Sequence, residues 1–205
     1  MKIFLLGATG GTGRAVLEQA LARGHEVTAL VRSPEKITIR NGNLSVHAGD
    51  PTNADQIAPL LAPLDIVITA LGHRGLERST LLEVATKSLV QAMQTSGTRR
   101  VLLVSLALLF PEVGNPVLAS ILRFVLRNNI TDSREMERIV TQSDLDWTIA
   151  RPPRLTNGPK TEKYRVADGE LPRGGGTISR ADLAHFLLDE AERHGHVRKI
   201  AGLCY

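Results

Sequence analysis

Cys204 is the single cysteine in a chain of 205 residues. An internal disulfide and a cysteine-built zinc site are therefore excluded, and a reducing cytoplasm is the expected setting. Aromatic residues are also scarce, at 3% of the chain. Lys and Arg are scattered, never more than two in a row, so the stacking platforms and basic arms that serve nucleic acids are absent. No apolar run approaches the roughly 20 residues of a membrane span. The chain opens on a strand-like run without the layout of a signal peptide, so export is not expected. His194 and His196 flank Gly195 at the end of a helix and read as lacking supporting acids or cysteines, so no metal site is expected.

What is present is an ordinary globular composition, 42% hydrophobic and 22% charged, with a net charge of +4. Short apolar runs alternate with longer segments of helical period. Strands are expected over 2–6, 26–31, 44–47, 65–71, 100–105 and 146–150, with a weaker one over 199–203. Between the first two, residues 14–23 place Val16, Leu17, Ala20 and Leu21 on one face, and Gly24 follows as a stop. Thr80-x-x-Glu83, Asp132-x-x-Glu135 and Ser179-x-x-Asp182 each read as a capping box that opens a helix. Such alternation predicts an α/β fold, a doubly wound parallel sheet with helices on both faces. Two stretches break the rhythm: the long apolar 106–129, and 152–177, rich in Pro and Gly. Both follow strand ends, where loops over a ligand crevice lie.

The first strand runs into "GATGGTGR", with Gly7, Gly10 and Gly13 spaced G-x-x-G-x-x-G. Glycine allows the sharp turn and a close backbone approach to a pyrophosphate, and Gly13 lets the helix pack near the strand. Amide groups at the helix start favour the anion. Directly after a strand and before an amphipathic helix, the pattern reads as a dinucleotide cradle rather than a mere turn. The second strand ends on Arg32, with Lys36 beyond it, where an NAD-selecting site carries an acid. A guanidinium there pairs with a 2′-phosphate, so NADP(H) is expected in preference to NAD(H).

The other strand ends supply the remaining candidates. Asp50 in "HAGDPTN" is either an acceptor for the adenine amino group or an N-cap for the next helix. Leu71 and Gly72 bring backbone near the cofactor, and Arg74 is either a phosphate partner or a surface arginine. His73 is the histidine nearest the crevice, either catalytic or simply solvated. His185 reads as a packing residue.

These segments, with "TALVRSPEK", "ITALGHRG", "VLLVSLALL", "LDWTIARPPRLTNG" and "ISRADLAHFLLDEA", resemble the atypical short-chain dehydrogenase/reductase group of NAD(P)H-binding proteins. That group includes the biliverdin reductase B/flavin reductase-like and NmrA-like families, and the likeness runs nearly the whole chain. It implies a single Rossmann-type NAD(P)-binding domain over 1–205, with a small C-terminal substrate-side region and with 106–129 and 152–177 on the substrate side. It implies pyrophosphate contacts at Gly7, Thr9, Gly10, Gly11, Thr12 and Gly13, and 2′-phosphate contacts at Arg32 and Lys36. Asp50 and Pro51 would meet the adenine, while Leu71, Gly72 and Arg74 match the next cofactor-contacting stretch. Ser105 lies beside the expected nicotinamide, and Pro152, Pro153, Arg154 and Leu155 match the segment that closes over nicotinamide and substrate.

The departures matter as much. Only Tyr164 and Tyr205 are present, and neither begins the Tyr-x-x-x-Lys relay of ordinary short-chain dehydrogenases. Where flavin/biliverdin reductases border the substrate with a serine and a histidine, this chain has Leu106 and Arg154. A guanidinium stays protonated, so Arg154 orients an anionic substrate rather than acting as a general acid. The expectation is a reductase passing hydride from NADPH to a flavin- or quinone-like acceptor, with Ser105 and Arg154 as catalytic candidates. The alternative is an NmrA-like protein that senses NADP(H) without turnover. For that reading the face formed by Leu118, Ile121, Leu122 and Val125 is a partner surface, and otherwise it is core. A small-molecule acceptor and a monomer or homodimer are expected.

Overall fold

A computed structural model describes residues 1–62, 64–73 and 75–205. Strand β1 (Lys2–Leu6) is followed by α1 (Gly11–Ala22), β2 (Glu26–Val31), β3 (Leu44–Ala48), α2 (Ala54–Leu61) and β4 (Ile66–Thr69). Next come α3 (Leu81–Ser96), β5 (Arg100–Val104), α4 (Pro116–Val125), α5 (Arg127–Thr141) and β6 (Asp146–Arg151). The chain closes with β7 (Arg154–Thr156), β8 (Arg165–Asp168), β9 (Thr177–Ser179), α6 (Arg180–Arg193) and β10 (Lys199–Cys204).

The main sheet has the order β3-β2-β1-β4-β5-β6-β10-β8. All its pairings are parallel except β10 with β8. The central strands are apolar on both faces because helices cover both. Ile3 and Leu5 of β1 pack with Val16, Leu17, Leu183 and Leu187 of α1 and α6. Phe4 and Leu6 point the other way, into Ile57, Leu89, Met93 and Met136 of α2, α3 and α5. The chain leaves β1 toward β2 on one side and returns as β4 on the other. A crevice at the carboxyl ends of β1 and β4 follows from that reversal.

Several expectations are corrected. Helix α1 begins at Gly11, not Arg14, so the last two glycines of the turn belong to its first turn. Thr80 makes no capping bond. Helix α3 is capped instead by Asp132, which accepts from Leu82 N at 3.1 Å and Glu83 N at 2.9 Å. Asp132 thus sits within α5 and does not open it. Ser179 does cap α6, accepting from Asp182 N at 2.9 Å. The segment 152–177 contains β7 and β8 and ends at β9, and β7 and β9 form a separate parallel pair. His196 has acids after all, with Nδ1 2.7 Å from Glu190 Oε2 and Nε2 3.6 Å from Asp168 Oδ1.

Candidate functional site

Gly7 leaves β1 with φ of +85°, in the left-handed region, and a Cβ there would stand 2.6 Å from the carbonyl carbon and oxygen of Ala70 beyond β4. Only glycine lets the two chain segments meet at the switch point. Gly10 N donates to Gly7 O at 2.9 Å and closes the turn. A Cβ on Gly13 would strike the Gly7 carbonyl oxygen, so α1 packs directly on the turn. Gly10 occupies the N-cap position and brings no side-chain acceptor. The first-turn amides of α1, at Gly11, Thr12 and Gly13, are therefore uncapped by any side chain and available to an anion.

Beside the turn lies a cleft of about 50 Å³, which brings together Gly7, Thr9, Arg32, Lys36, Pro51 and Leu71, with Leu30, Val31 and Ser33. A short 3₁₀ turn over Pro34–Lys36 returns Lys36 to the same cleft as Arg32. Asp50 is not part of its lining. The Asp50 carboxylate accepts from Thr52 N at 2.9 Å and Thr52 Oγ1 at 2.8 Å. Those bonds, aided by the charge of Arg32, hold it below the usual carboxylate range. The N-cap of α2 is Asn53, so the capping role considered for Asp50 is corrected.

On the far side of β5 and β6 is a larger cavity of about 450 Å³. Leu106, Ala107, Leu118, Leu122 and Leu126 form one wall, and Pro152, Pro153, Gly175 and Gly176 form another. Arg154 is the charged residue of the lining. Helix α4 owes its place there to Asn115, which caps it, and to Arg123, which donates to the carbonyls of Leu108, Phe110 and Pro111. Leu118 and Leu122 face the cavity yet remain partly exposed, as do Val117, Ile121, Phe124 and Val125. Core packing is thus excluded for this face.

A family model for NAD(P)H-binding proteins matches residues 7–194. The chain belongs to the NAD(P)H-binding family. It is 32% identical to an uncharacterized chloroplastic protein of Arabidopsis thaliana over 201 residues, covering 92% of this chain and 71% of that one. Among solved structures, a Burkholderia pseudomallei protein described as exported is 30% identical, with each chain covered in full and a TM-score of 0.82. A Streptococcus pneumoniae protein described as an NADH-flavin reductase is 25% identical, with a TM-score of 0.78 over 100% of this chain and 99% of that one. A nicotinamide cofactor and a Rossmann-like α/β fold follow from these likenesses. No helix among the described residues is long and apolar enough to cross a membrane.

In this NAD(P)H-binding protein the remaining candidates have distinct surroundings. Ser105 is buried, and its hydroxyl donates to Glu137 Oε1 at 2.5 Å. Glu137 in turn receives Nε and Nη2 of Arg151 at 3.0 and 2.5 Å, and Arg151 lies over the Phe110 ring. Ser105 does not line the apolar cavity, whereas Leu106 does. Leu155 packs against the core on the α1 and α6 face. Gly72 is exposed, with open space where a Cβ would stand. Arg74 lies outside the described residues. His73 is not solvated: its side chain is only 9% exposed, and Nε2 lies 3.1 Å from Asp132 Oδ2. Burial pulls its pKa below the ordinary histidine value, against the pull of Asp132. Tyr164 lies near α6, where its hydroxyl is 2.9 Å from His185 Nδ1, and burial drives its pKa far up.

Sequence reasoning missed Arg180 and Asn157, which meet beside the glycine turn. The Ser179 capping box set Arg180 at the head of α6. Nothing local signalled that the side chain would reach back to residue 11.

Proposed function

We propose that this chain is an NADPH-dependent reductase that passes a hydride to a flavin- or quinone-like acceptor. The whole chain acts as one dinucleotide-binding domain, with 106–129 and 152–177 forming the acceptor side. The observation that carries the reading is the pairing of two unlike recesses at the strand ends. One is narrow and cationic, at Arg32 and Lys36; the other is wide and apolar, with Arg154 at its lining.

When bound, NADPH supplies the hydride. The amides at Gly11, Thr12 and Gly13 hold the pyrophosphate, and Arg32 with Lys36 holds the 2′-phosphate. Pro51 and Leu71 flank the adenosine, with Asp50 accepting from the adenine amino group. Leu71 and Gly72 border the cofactor, as does Arg74 by likeness to the family. Pro152, Pro153 and Leu155 keep the nicotinamide side closed. Aliphatic walls exclude water from the acceptor face, and Arg154 orients a carbonyl or anionic edge of the acceptor. Ser105 buttresses the nicotinamide floor through Glu137 and Arg151. Because a guanidinium is a poor general acid and the Ser105 hydroxyl is engaged by Glu137, the proton that accompanies the hydride would come from solvent at the cavity mouth. An acceptor that needs little acid catalysis fits this equipment, and the description of the pneumococcal relative supports it. The single buried thiol suits a reducing cytoplasm.

The test is to titrate NADPH and NADH, then follow nicotinamide absorbance with FMN, FAD and quinones added. Tighter NADPH binding with turnover of a flavin or quinone is expected. Binding without turnover of any acceptor would sink the reductase reading. That result would favour an NmrA-like sensor, for which the exposed apolar face of α4, with Phe124 71% and Ile121 55% accessible, offers a partner surface.

A further inference from the structure

Arg180 is the first residue of α6, yet its side chain lies on another helix. A Cβ at Gly11 would stand 2.8 Å from both Arg180 Cδ and Nε and 3.6 Å from its Cζ. The absent side chain at Gly11 is thus the seat of this arginine, against the uncapped first turn of α1. Arg180 Nη1 donates to Asn157 Oδ1 at 2.7 Å, which fixes the guanidinium beside the glycine turn. Among the described residues no carboxylate pairs with Arg180, while four of its five donors remain for another acceptor. A cation in the first turn of α6 also has the wrong sign for its own helix, whose N-terminus favours negative charge. Its placement is unfavourable to α6 and favourable to an anion at the start of α1.

We propose that Arg180, held by Asn157, is a cofactor-binding residue that pairs with the diphosphate of the dinucleotide. It completes from above the cradle that the α1 amides form from below. The inference rests on the glycine turn being that cradle. Its ligand chemistry is the part common to NADPH and NADH, whereas Arg32 answers only to the 2′-phosphate. The two arginines therefore divide the cofactor between them, one setting affinity and the other choice.

Titrations of the full-length protein with NADPH, NADH and adenosine 2′-monophosphate separate these roles. Arg180→Ala is expected to raise Kd for both dinucleotides by the same factor, about tenfold. It should leave competition by adenosine 2′-monophosphate, which lacks the diphosphate, unchanged. Arg32→Ala should weaken NADPH and adenosine 2′-monophosphate and spare NADH. Arg180→Lys is expected to recover part of the loss, and to keep a steeper salt dependence than Arg180→Gln. Arg180→Gln keeps an amide toward Asn157 and guards against a folding defect in the alanine variant. Unchanged dinucleotide affinity in a folded Arg180→Gln protein overturns the proposal, as does a loss confined to NADPH. Wild-type protein that binds neither dinucleotide overturns the cradle itself, and Arg180 with it.

Discussion

Replacing Asp132 by alanine removes a carboxylate that serves three groups in two other segments. It accepts from the amides of Leu82 and Glu83 at the start of α3 and pairs with His73 in the loop before it. The carboxylate is fully buried, so water cannot take its place. Loss of the helix cap costs about 1 kcal/mol, and stranding the buried Leu82 amide costs about 1–3 kcal/mol more. A total near 3 kcal/mol is expected, a shift of about 6–12 °C in a chain of this size. Asp132→Asn retains one acceptor oxygen and should lose about half as much. Thr80→Ala, at the position the sequence pattern marks as the cap, should change stability by less than about 0.5 kcal/mol. Thermal and urea denaturation of the three variants decide the matter. If Thr80→Ala is as damaging as Asp132→Ala, the long-range cap is wrong and the local capping box is right.

Gly7→Ala forces a Cβ into the Ala70 carbonyl from a left-handed backbone. It should cost at least about 2 kcal/mol and weaken NADPH binding, as read by denaturation and titration. Ser133→Ala runs the other way: its hydroxyl is buried without a partner, so removal should leave urea stability equal or raise it by up to about 1 kcal/mol. His73 has a folded pKa below its unfolded one, so the unfolded chain binds more protons as pH falls. Stability should therefore decline from about pH 7 to about pH 5, and His73→Gln should flatten that part of the profile.

The β1–α1–β2 unit was legible because every signal in it is local. Gly10 and Gly13 meet only the turn they help to form, and Arg32 ends the very strand that leads to the cleft. The parallel sheet was legible for a similar reason, since strands such as Ile66–Thr69 are apolar on both faces. Asp132 was not, because its acidic capping signal is identical whether it serves its own helix or one 50 residues away in sequence. Two strands and the start of a third hid among prolines and glycines of 152–177, too short for any period to register. Arg180 was invisible because its partner surface is an empty space, the missing side chain of Gly11. The apolar side chains of α4 have the composition of core, and only the packing reveals that nothing described covers them.

The small β7–β9 ribbon has a consequence for which molecules can react. Arg154 begins β7 beside the apolar cavity, and Asn157 follows its last residue beside Arg180 and the glycine turn. Three residue steps of extended chain separate them, about 10 Å. The register with β9, Arg154 to Thr177 and Thr156 to Ser179, keeps that span from stretching. On the proposed cofactor placement the ribbon is a ruler, with its zero at the diphosphate that Arg180 would hold and its mark at Arg154. Under the proposed function an acceptor is selected by reach as much as by polarity: the atom that takes up the hydride must come within one ring of Arg154.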